Sequence, residues 1–270
     1  MTNIVYISGI TGFIGRHVAK ELVLQGYEVI GLVRFSNETS KGLLSKNIQL
    51  LEADLTNRNL VLNAPVGATL IHCAWDNASE HNSLVHIEKH CMDHYFFLKN
   101  MLTQGFKKII VTGSCIEYGK QYGPINANSK TEPNTAYALS KDFLHKSLNL
   151  LKAEIEFNLI WARLFYIYGE GQFHKNIIPL FDAALERGDV SFDMSLGEQL
   201  FDYLPVEEAA KKIIGLLQYE NGVFNICSGK PISLRRLLEG RMIEKGKKIK
   251  LNLGCYEYRK NESLAIWGDS

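Results

Sequence analysis

The chain has 270 residues, of which 46% are hydrophobic and 22% are charged. A chain of this length and composition can bury a sizeable core, so we expect one large domain, or one domain with a small appendage. Its 30 basic and 29 acidic side chains give a formal net charge of +1 at pH 7, with no long basic run. This balance argues against nucleic acid and anionic membranes as partners.

The five cysteines are scattered along the chain and are never spaced Cys-x-x-Cys. This pattern predicts free thiols in a reducing compartment, with neither a disulfide framework nor a zinc site. The N-terminus enters an apolar strand pattern without a basic leader, and no apolar run approaches the length of a membrane span. We therefore expect a cytoplasmic protein that has no membrane partner.

The first 25 residues predict a strand, a glycine-rich turn and a helix. Residues 3–8 are a short apolar, β-branched run, and Phe13–Gln25 has helical spacing of apolar residues. Three glycines spaced three apart join them. Such glycines permit a tight turn and a close approach of the backbone to a pyrophosphate, while the helix N-terminus supplies N–H donors. The pattern predicts dinucleotide binding, and its residues are Gly9, Gly12, Phe13, Ile14 and Gly15.

The end of the predicted second strand, residues 28–33, bears on the choice of cofactor. An acidic residue there would bind the ribose hydroxyls of NAD, but Val33 holds that place and Arg34 follows. An arginine can instead pair with a 2′-phosphate. The sequence therefore favours NADP(H) over NAD(H).

Two further strand ends complete the predicted cofactor contacts. Asp54 and Leu55 follow the third strand, where a side chain can meet the adenine edge. Cys73 and Ala74 end the fourth strand, and Trp75 leaves it toward the substrate.

A helix predicted over 86–104 contains His86, His90 and His94 at i, i+4 and i+8. The spacing raises the possibility of a metal site. We reject it because no carboxylate-and-histidine zincin pattern accompanies the three residues. We interpret them as polar side chains on the exposed face of the helix, so no metal is expected.

Tyr137 and Lys141 lie four residues apart, which places them on one face of a helix. A nearby ammonium favours the phenolate, so we expect it to lower the tyrosine pKa from about 10 and to suit the phenol to acid–base catalysis. Ser114 follows a strand predicted at 108–113, at the edge where open α/β sheets bind ligands. These three side chains are the predicted catalytic residues around one substrate oxygen.

Taken together, these motifs resemble the extended short-chain dehydrogenase/reductases that act on nucleoside-diphosphate sugars. The resemblance extends over nearly the whole chain. It implies that Tyr137 is the general acid or base, that Lys141 binds the nicotinamide ribose, and that Ser114 hydrogen-bonds the reacting oxygen. The further matching residues are Tyr118-Gly119, Arg163, Tyr168-Gly169 and the segment 197–203.

We therefore expect an α/β fold: a Rossmann-like, doubly wound parallel sheet with a small C-terminal substrate-binding lobe. Residues 1–164, together with 203–228, would form the NADP-binding domain, and 165–202 and 229–270 the lobe. The helices at 86–104 and 137–151 resemble the family's dimeric four-helix bundle and carry excess apolar residues, so we expect a homodimer. The predicted strands lie near 3–8, 28–33, 48–52, 69–74, 108–113, 157–163 and 223–227.

The resemblance implies a nucleotide-sugar substrate. Asn176 begins a segment similar to the family's nucleotide-contacting helix, and Arg259 resembles its late diphosphate-binding arginine. Phe201 stands where relatives usually place an arginine, so one expected phosphate contact is missing. The predicted substrate contacts are Trp75, Cys115, Arg163, Asn176 and Arg259.

The residues after Ser114 narrow the reaction. The family's 4,6-dehydratases carry an Asp-Glu pair there, whereas this chain has Cys115 and Ile116, so elimination of water lacks its acid and base. A consumable NADPH indicates net reduction. Our leading hypothesis is an NADPH-dependent reductase of a nucleoside-diphosphate 4-keto-6-deoxyhexose, with Tyr137 as general acid.

Three alternatives stay open. One is a sugar-nucleotide 4-epimerase that recycles its cofactor. Another is a bifunctional epimerase-reductase of the GDP-fucose synthase kind, for which Cys115 and His174 would have to serve as the epimerising pair, although both lie off its pattern. The third is a binding protein that holds NADP without turnover.

Overall fold

The computed structural model describes residues 4–35, 48–258 and 262–269. Its main element is a seven-stranded sheet in which all neighbouring strands are parallel. The seven strands are β1 (Ile4–Ser8), β2 (Glu28–Val33), β3 (Ile48–Glu52), β4 (Thr69–His72), β5 (Lys108–Ser114), β7 (Asn158–Leu164) and β12 (Gly222–Ile226). They lie in the order β3-β2-β1-β4-β5-β7-β12, so the strand order reverses between β1 and β4. In open α/β sheets this switch point is where ligands bind.

Helices cover both faces of the sheet, and its central strands are therefore buried on both sides. The helices are α1 (Phe13–Leu24), α2 (Cys91–Thr103), α3 (Ala136–Leu151), α4 (Ile177–Arg187), α5 (Val206–Gly215) and α6 (Leu234–Glu244). Val18 of α1 and Ile213 of α5 belong to one apolar layer, and Leu98 of α2 and Leu144 of α3 belong to the other. A π-helical turn at His86–His90 leads directly into α2.

The remaining strands form smaller sheets beside the carboxyl edge of the main sheet. They are β6 (Gly123–Ile125), β8 (Tyr166–Tyr168), β9 (Ser191–Asp193), β10 (Leu200–Phe201), β11 (Tyr203–Pro205), β13 (Ile232–Ser233), β14 (Lys250–Asn252) and β15 (Ala265–Gly268). Four of them form a sheet in the order β13-β10-β15-β6, and β8 pairs with β11 and β9 with β14. A separate apolar cluster joins α4 to α6 through Phe181, Leu185 and Leu238.

The predicted Rossmann-like fold is confirmed, and the seven predicted strands lie within one or two residues of the observed ones. The fourth strand ends at His72, so Cys73 and Ala74 lie just beyond it. The strand β6, inside the predicted segment 1–164, pairs with β15 of the small sheet. The domain boundaries remain a prediction. No helix in the described ranges is long and apolar enough to cross a membrane.

Candidate active site

A cleft of about 550 Å³ opens at the switch point, along the carboxyl ends of β1, β2, β4 and β5. This volume lies within the range of about 300–1,000 Å³ that is usual for small-molecule sites. The structure brings every predicted cofactor residue to its wall. They are Gly9, Gly12, Phe13, Ile14, Gly15, Arg34, Asp54, Leu55, Cys73, Ala74, Tyr137 and Lys141.

The glycine turn fits a dinucleotide because its backbone is packed too closely for side chains. Gly9 has φ +70°, and a Cβ there would lie 2.6 Å from the Ala74 backbone nitrogen. At Gly15 a Cβ would lie 2.2 Å from the Gly9 carbonyl oxygen. Gly12 is the N-cap of α1 and offers no side-chain cap, which leaves the first-turn N–H groups to an anion in the cleft.

Three charged side chains, those of Arg34, Asp54 and Asp76, mark the far end of this cleft. The Arg34 guanidinium donates to Asp76 Oδ1 at 2.7 Å, and the two side chains are 62% and 54% exposed. An ion pair this exposed contributes only about 0–1 kcal/mol, so another anion can displace Asp76 at little cost. Asp54 accepts the Thr56 N–H and hydroxyl, each at 2.9 Å, and these bonds lower the pKa of its carboxyl.

Lys141 lies at the other end, where it is almost completely buried. Its ammonium donates to the Thr112 carbonyl at 2.8 Å and lies 4.0 Å from the centroid of the Trp75 ring. Burial lowers the pKa of Lys141 to about 8. The indole face and the carbonyl therefore hold an ammonium whose charge changes in the physiological range.

Tyr137 lies beside Lys141, with the ammonium 5.8 Å from the centre of its ring. Its backbone N–H donates to the His81 carbonyl at 2.9 Å, and the rings of His81, His86 and Trp75 lie 5.3–5.8 Å from its own. Burial raises the pKa of the phenol, and the charge of Glu117 raises it further. The expected lowering of the Tyr137 pKa is therefore not found, because burial outweighs the neighbouring ammonium.

The prediction that all three helix histidines are exposed was wrong, because His86 and His94 are buried. His94 stacks on Trp75 with ring centroids 4.4 Å apart and is joined to His72 by a 2.9 Å hydrogen bond. His86 accepts the Trp75 indole N–H at 3.1 Å and lies 3.1 Å from the Glu80 carbonyl. These imidazoles therefore hold Trp75 in place.

Ser114 ends β5 and is the N-cap of a short 3₁₀ turn, Cys115–Tyr118. Its hydroxyl oxygen accepts the Ile116 N–H at 3.4 Å, and its own N–H donates to Glu117 Oε1 at 2.7 Å. Gly113, directly before it, lines the cleft. The sequence interpretation missed Glu117, although Ser-x-x-Glu is the pattern of a capping box.

Two predicted substrate residues lie away from the clefts. Cys115 is 5% exposed and packs in an apolar cluster with Tyr118 and Phe165, and burial raises its thiol pKa to about 12. Arg163 is also buried, and it donates to Glu117 Oε2 at 2.8 Å and to the Ala127 carbonyl at 3.0 Å. Both side chains therefore contact other parts of the protein, and neither lines a described cleft. Arg259 lies outside the described residues.

A second cleft of about 480 Å³ lies against β8, β10 and the start of α4. Asn176, the N-cap of α4, lines it, as does Lys175. Phe201, which stands where an arginine was expected, stacks on Tyr166, with ring centroids 4.2 Å apart and ring planes at 13°. The other aromatic side chains of its wall are Tyr168, Tyr203, Tyr256 and Tyr258.

Comparison with known proteins agrees with this geometry. A sequence profile of the NAD dependent epimerase/dehydratase family matches residues 5–227. The chain belongs to this family. It is 34% identical over 272 residues to a dTDP-6-deoxy-L-talose 4-dehydrogenase (NAD(+)) from Aggregatibacter actinomycetemcomitans, with 98% of each chain covered. It is 28% identical to the Escherichia coli dTDP-4-dehydro-6-deoxyglucose reductase, covering 88% of this chain and 80% of the relative.

Solved structures of the epimerase/dehydratase family share the fold. The Thermotoga maritima UDP-glucose 4-epimerase aligns with a TM-score of 0.81 at 20% identity, covering 98% of this chain and 90% of the other. MoeE5 in complex with UDP-glucuronic acid and NAD aligns with a TM-score of 0.80 at 20% identity, covering 98% and 89%.

The buried ammonium generates a prediction about stability. Replacing Lys141 with Met removes a group whose folded-state pKa is about 8 against an ordinary value of 10.5. Below pH 8 the unmodified protein bears the full cost of the buried charge, and that cost disappears as pH rises toward 10.5. The unfolding free energy of the unmodified protein should therefore rise relative to Lys141→Met by about 2 kcal/mol between pH 7 and 9.5.

Urea unfolding at the two pH values measures this difference. Lys120→Met is the control, because it removes a lysine outside both clefts. A constant difference between Lys141→Met and the unmodified protein across this range would show that the Lys141 pKa is not depressed.

Proposed function

We propose that this family member is an NADP(H)-dependent reductase of a dTDP-linked 4-keto-6-deoxyhexose, acting at C4 of the sugar. The observation that carries the proposal is a cleft that is lined by Tyr137 and Lys141 as well as by the glycines of the dinucleotide-binding pattern. Ser114 is not among its described lining residues, but it directly follows Gly113, which is. The two relatives described above have names that specify dTDP-linked 6-deoxy sugars and oxidoreduction. These names support the substrate class.

The environment of Tyr137 supports the reductive direction. Because burial raises the pKa of the phenol, Tyr137 carries its proton at neutral pH, as a general acid must. Cys115 cannot readily act as a base, because burial raises its thiol pKa to about 12. His174 is exposed and lies outside the described lining of both clefts. The pair needed for the bifunctional alternative is therefore not assembled here.

In the proposed reaction the nicotinamide cofactor supplies the hydride that C4 accepts. Tyr137 donates its phenolic proton to O4, so the carbonyl becomes a hydroxyl. Negative charge develops on O4 during the transfer, and we assign the Ser114 hydroxyl as a donor to it. Lys141, held by Thr112 and Trp75, keeps a positive charge beside the phenolate that remains.

We assign the second cleft as the binding site of the nucleotide. It lies next to the first, because Leu164 of β7 lines one cleft and Tyr166 of β8 lines the other. Aromatic faces suit a planar base, while Lys175 and the uncapped start of α4 at Asn176 suit a phosphate. A sugar joined to this nucleotide would then reach toward Tyr137.

The proposal is tested with a panel of dTDP-, GDP-, CDP- and UDP-linked 4-keto-6-deoxyhexoses while NADPH absorbance is followed. We expect stoichiometric loss of NADPH, fastest with a dTDP sugar. Tyr137→Phe should lower kcat by about 10²–10⁴-fold, because general-acid catalysis contributes that much. Tyr122→Phe, which alters an exposed tyrosine, should leave kcat unchanged.

The other candidate functions give different results in this assay. A 4-epimerase would interconvert a nucleotide sugar with no net change in cofactor. A binding protein would retain NADP and convert none of the panel. Either result would overturn the proposed reductase.

Cofactor preference rests on Arg34. Charge-assisted bonds from its guanidinium to a 2′-phosphate should contribute about 1.5–3 kcal/mol, more than the exposed ion pair with Asp76 that they replace. We expect NADPH to bind at least about tenfold more tightly than NADH. Replacing Arg34 with Ala should remove most of this preference and leave NADH binding nearly unchanged, as measured by fluorescence titration.

Arg58→Ala is the matched control, because Arg58 pairs with Asp93 and lies outside the described cleft lining. It should weaken neither cofactor. The Aggregatibacter relative has NAD(+) in its name. Equal dissociation constants for the two cofactors in the unmodified protein, or tighter binding of NADH, would refute the role of Arg34.

We also propose a homodimer formed through α2 and α3. Leu139, Phe143 and Leu150 of α3 are 46%, 52% and 78% exposed, and Met92 and Phe96 of α2 are also exposed. A paired copy of this surface would bury them. We expect a dimeric mass by light scattering at micromolar concentration and a monomeric mass for Phe143→Glu, with Leu24→Glu on α1 as control. A monomeric mass for the unmodified protein would contradict the dimer.

A further inference from the structure

The carboxylate of Glu117 is completely buried behind the end of β5. One oxygen accepts the Ser114 N–H at 2.7 Å, and the other accepts the Arg163 Nε–H at 2.8 Å. The Trp161 indole N–H points at both oxygens, at 3.2 and 3.0 Å. All of these partners are N–H donors. Burial raises the pKa of this carboxyl, while the charge of Arg163 and these hydrogen bonds act in the opposite direction. A protonated carboxyl would present a hydroxyl to these donors with no acceptor, so the hydrogen-bond pattern favours the ionised form.

These bonds fix the end of β5. With Glu117 holding the main-chain N–H and the Ser114 oxygen accepting from Ile116, the two halves of a capping box are both made. One lone pair of the Ser114 hydroxyl is then engaged, and its O–H remains able to donate. The box therefore sets the direction in which Ser114 can act.

We propose that Glu117 is a positioning residue for the reaction at C4, which places the Ser114 donor through its main chain and keeps a fixed negative charge behind the Tyr137–Lys141 pair. This inference rests on the proposed function. Glu117 touches neither cleft in the described structure, so it acts through Ser114 and through its charge.

The charged and titratable groups around Glu117 include two other buried carboxylates, Asp202, which acts on Cys115, and Asp142, which acts on His145. Arg163 and Trp161 face Glu117 from β7, and Tyr118 packs beside it. His145 of α3 stacks on Trp161, and burial lowers the pKa of that imidazole to about 4, so it is neutral. The Cys115 thiol is neutral as well.

The groups that face Tyr137 are Lys141 from its own helix, Trp75 from the end of β4, and His81 and His86 from the segment before α2. After burial, the charge of Glu117 contributes to raising the pKa of Tyr137, and it favours the ammonium of Lys141. Removing this charge should lower both pKa values. The Tyr137 phenol and the Lys141 ammonium would then each lose the proton that the reaction requires at a lower pH than in the unmodified protein.

Three variants separate placement from charge. Glu117→Gln removes the charge and keeps an oxygen for the Ser114 N–H. Glu117→Asp keeps the charge and shortens its reach. Trp161→Phe removes one donor from the same carboxylate and changes neither its charge nor its bond to Ser114, so it is the matched control.

The first measurement is kcat and KM against pH with NADPH and the best keto-sugar. Glu117→Gln should move the alkaline limb of the kcat profile at least about half a pH unit lower, which corresponds to about 0.7 kcal/mol. Glu117→Asp should lower kcat at least about tenfold without moving the limb, and KM should change less than kcat in both. Trp161→Phe should leave the limb in place.

The second measurement is amide hydrogen exchange at Ser114, followed by NMR on the ¹⁵N-labelled protein without substrate. In Glu117→Asp this amide should exchange at least about tenfold faster, and in Trp161→Phe at the unmodified rate. Because it needs no turnover, this result separates the inference from the proposed function. If no keto-sugar is reduced, the function fails while the exchange rates still decide the placement of Ser114.

Two outcomes would overturn the inference. One is a Glu117→Gln profile that coincides with that of Trp161→Phe. The other is a Glu117→Asp protein with unchanged kcat and unchanged Ser114 exchange, and this one decides the case if Glu117→Gln does not fold, as judged by circular dichroism and cofactor binding.

Discussion

The buried ammonium of Lys141 is the interaction on which the rest of the active site depends. Only 1% of the residue is exposed, and moving an ion into a protein interior has an effective cost of several kcal/mol. The Thr112 carbonyl and the Trp75 ring offset part of this cost without neutralising the charge. The carbonyl belongs to a central strand and is fixed, so the geometry of the site depends on how firmly Trp75 is held.

Trp75 is held by imidazoles that must remain neutral. His94 stacks under it, and His72 joins His94 to the Ser8 hydroxyl through hydrogen bonds of 2.9 and 2.6 Å. Burial lowers the pKa of His72 to about 3 and that of His94 well below its ordinary value. A neutral imidazole has one donor and one acceptor, which this chain of bonds can satisfy. A protonated one would place a second cation beside Lys141, so the neutrality of the histidines is a condition for the charge of the lysine.

The parts of this site that were predictable from sequence are those whose signal is local. Strand patterns, the glycine spacing and the Tyr137–Lys141 spacing lie within a few residues, and the predicted cofactor residues all line one cleft. The burial of His86 and His94 was not predictable, because it depends on how α2 and the π-helical turn before it pack against Trp75. The pKa of Tyr137 depends on depth, which spacing does not report. Glu117 had a local sign in Ser-x-x-Glu, but its partner Arg163 lies 46 residues away and meets it only because β5 pairs with β7.

The second cleft shows how an absent charge can be offset by a different kind of contact. Phe201 stands where an arginine was expected, and it packs face to face with Tyr166. Among the described residues that line the second cleft, six are aromatic and Lys175 is the cation. Stacking of a base on an aromatic ring is worth about 1–3 kcal/mol, comparable with the about 1.5–3 kcal/mol of a charge-assisted hydrogen bond. Under the proposed function, this exchange moves part of the binding energy from the diphosphate to the ring face of the base. Because every base has such a face, stacking strengthens binding of the nucleotide without choosing among the bases.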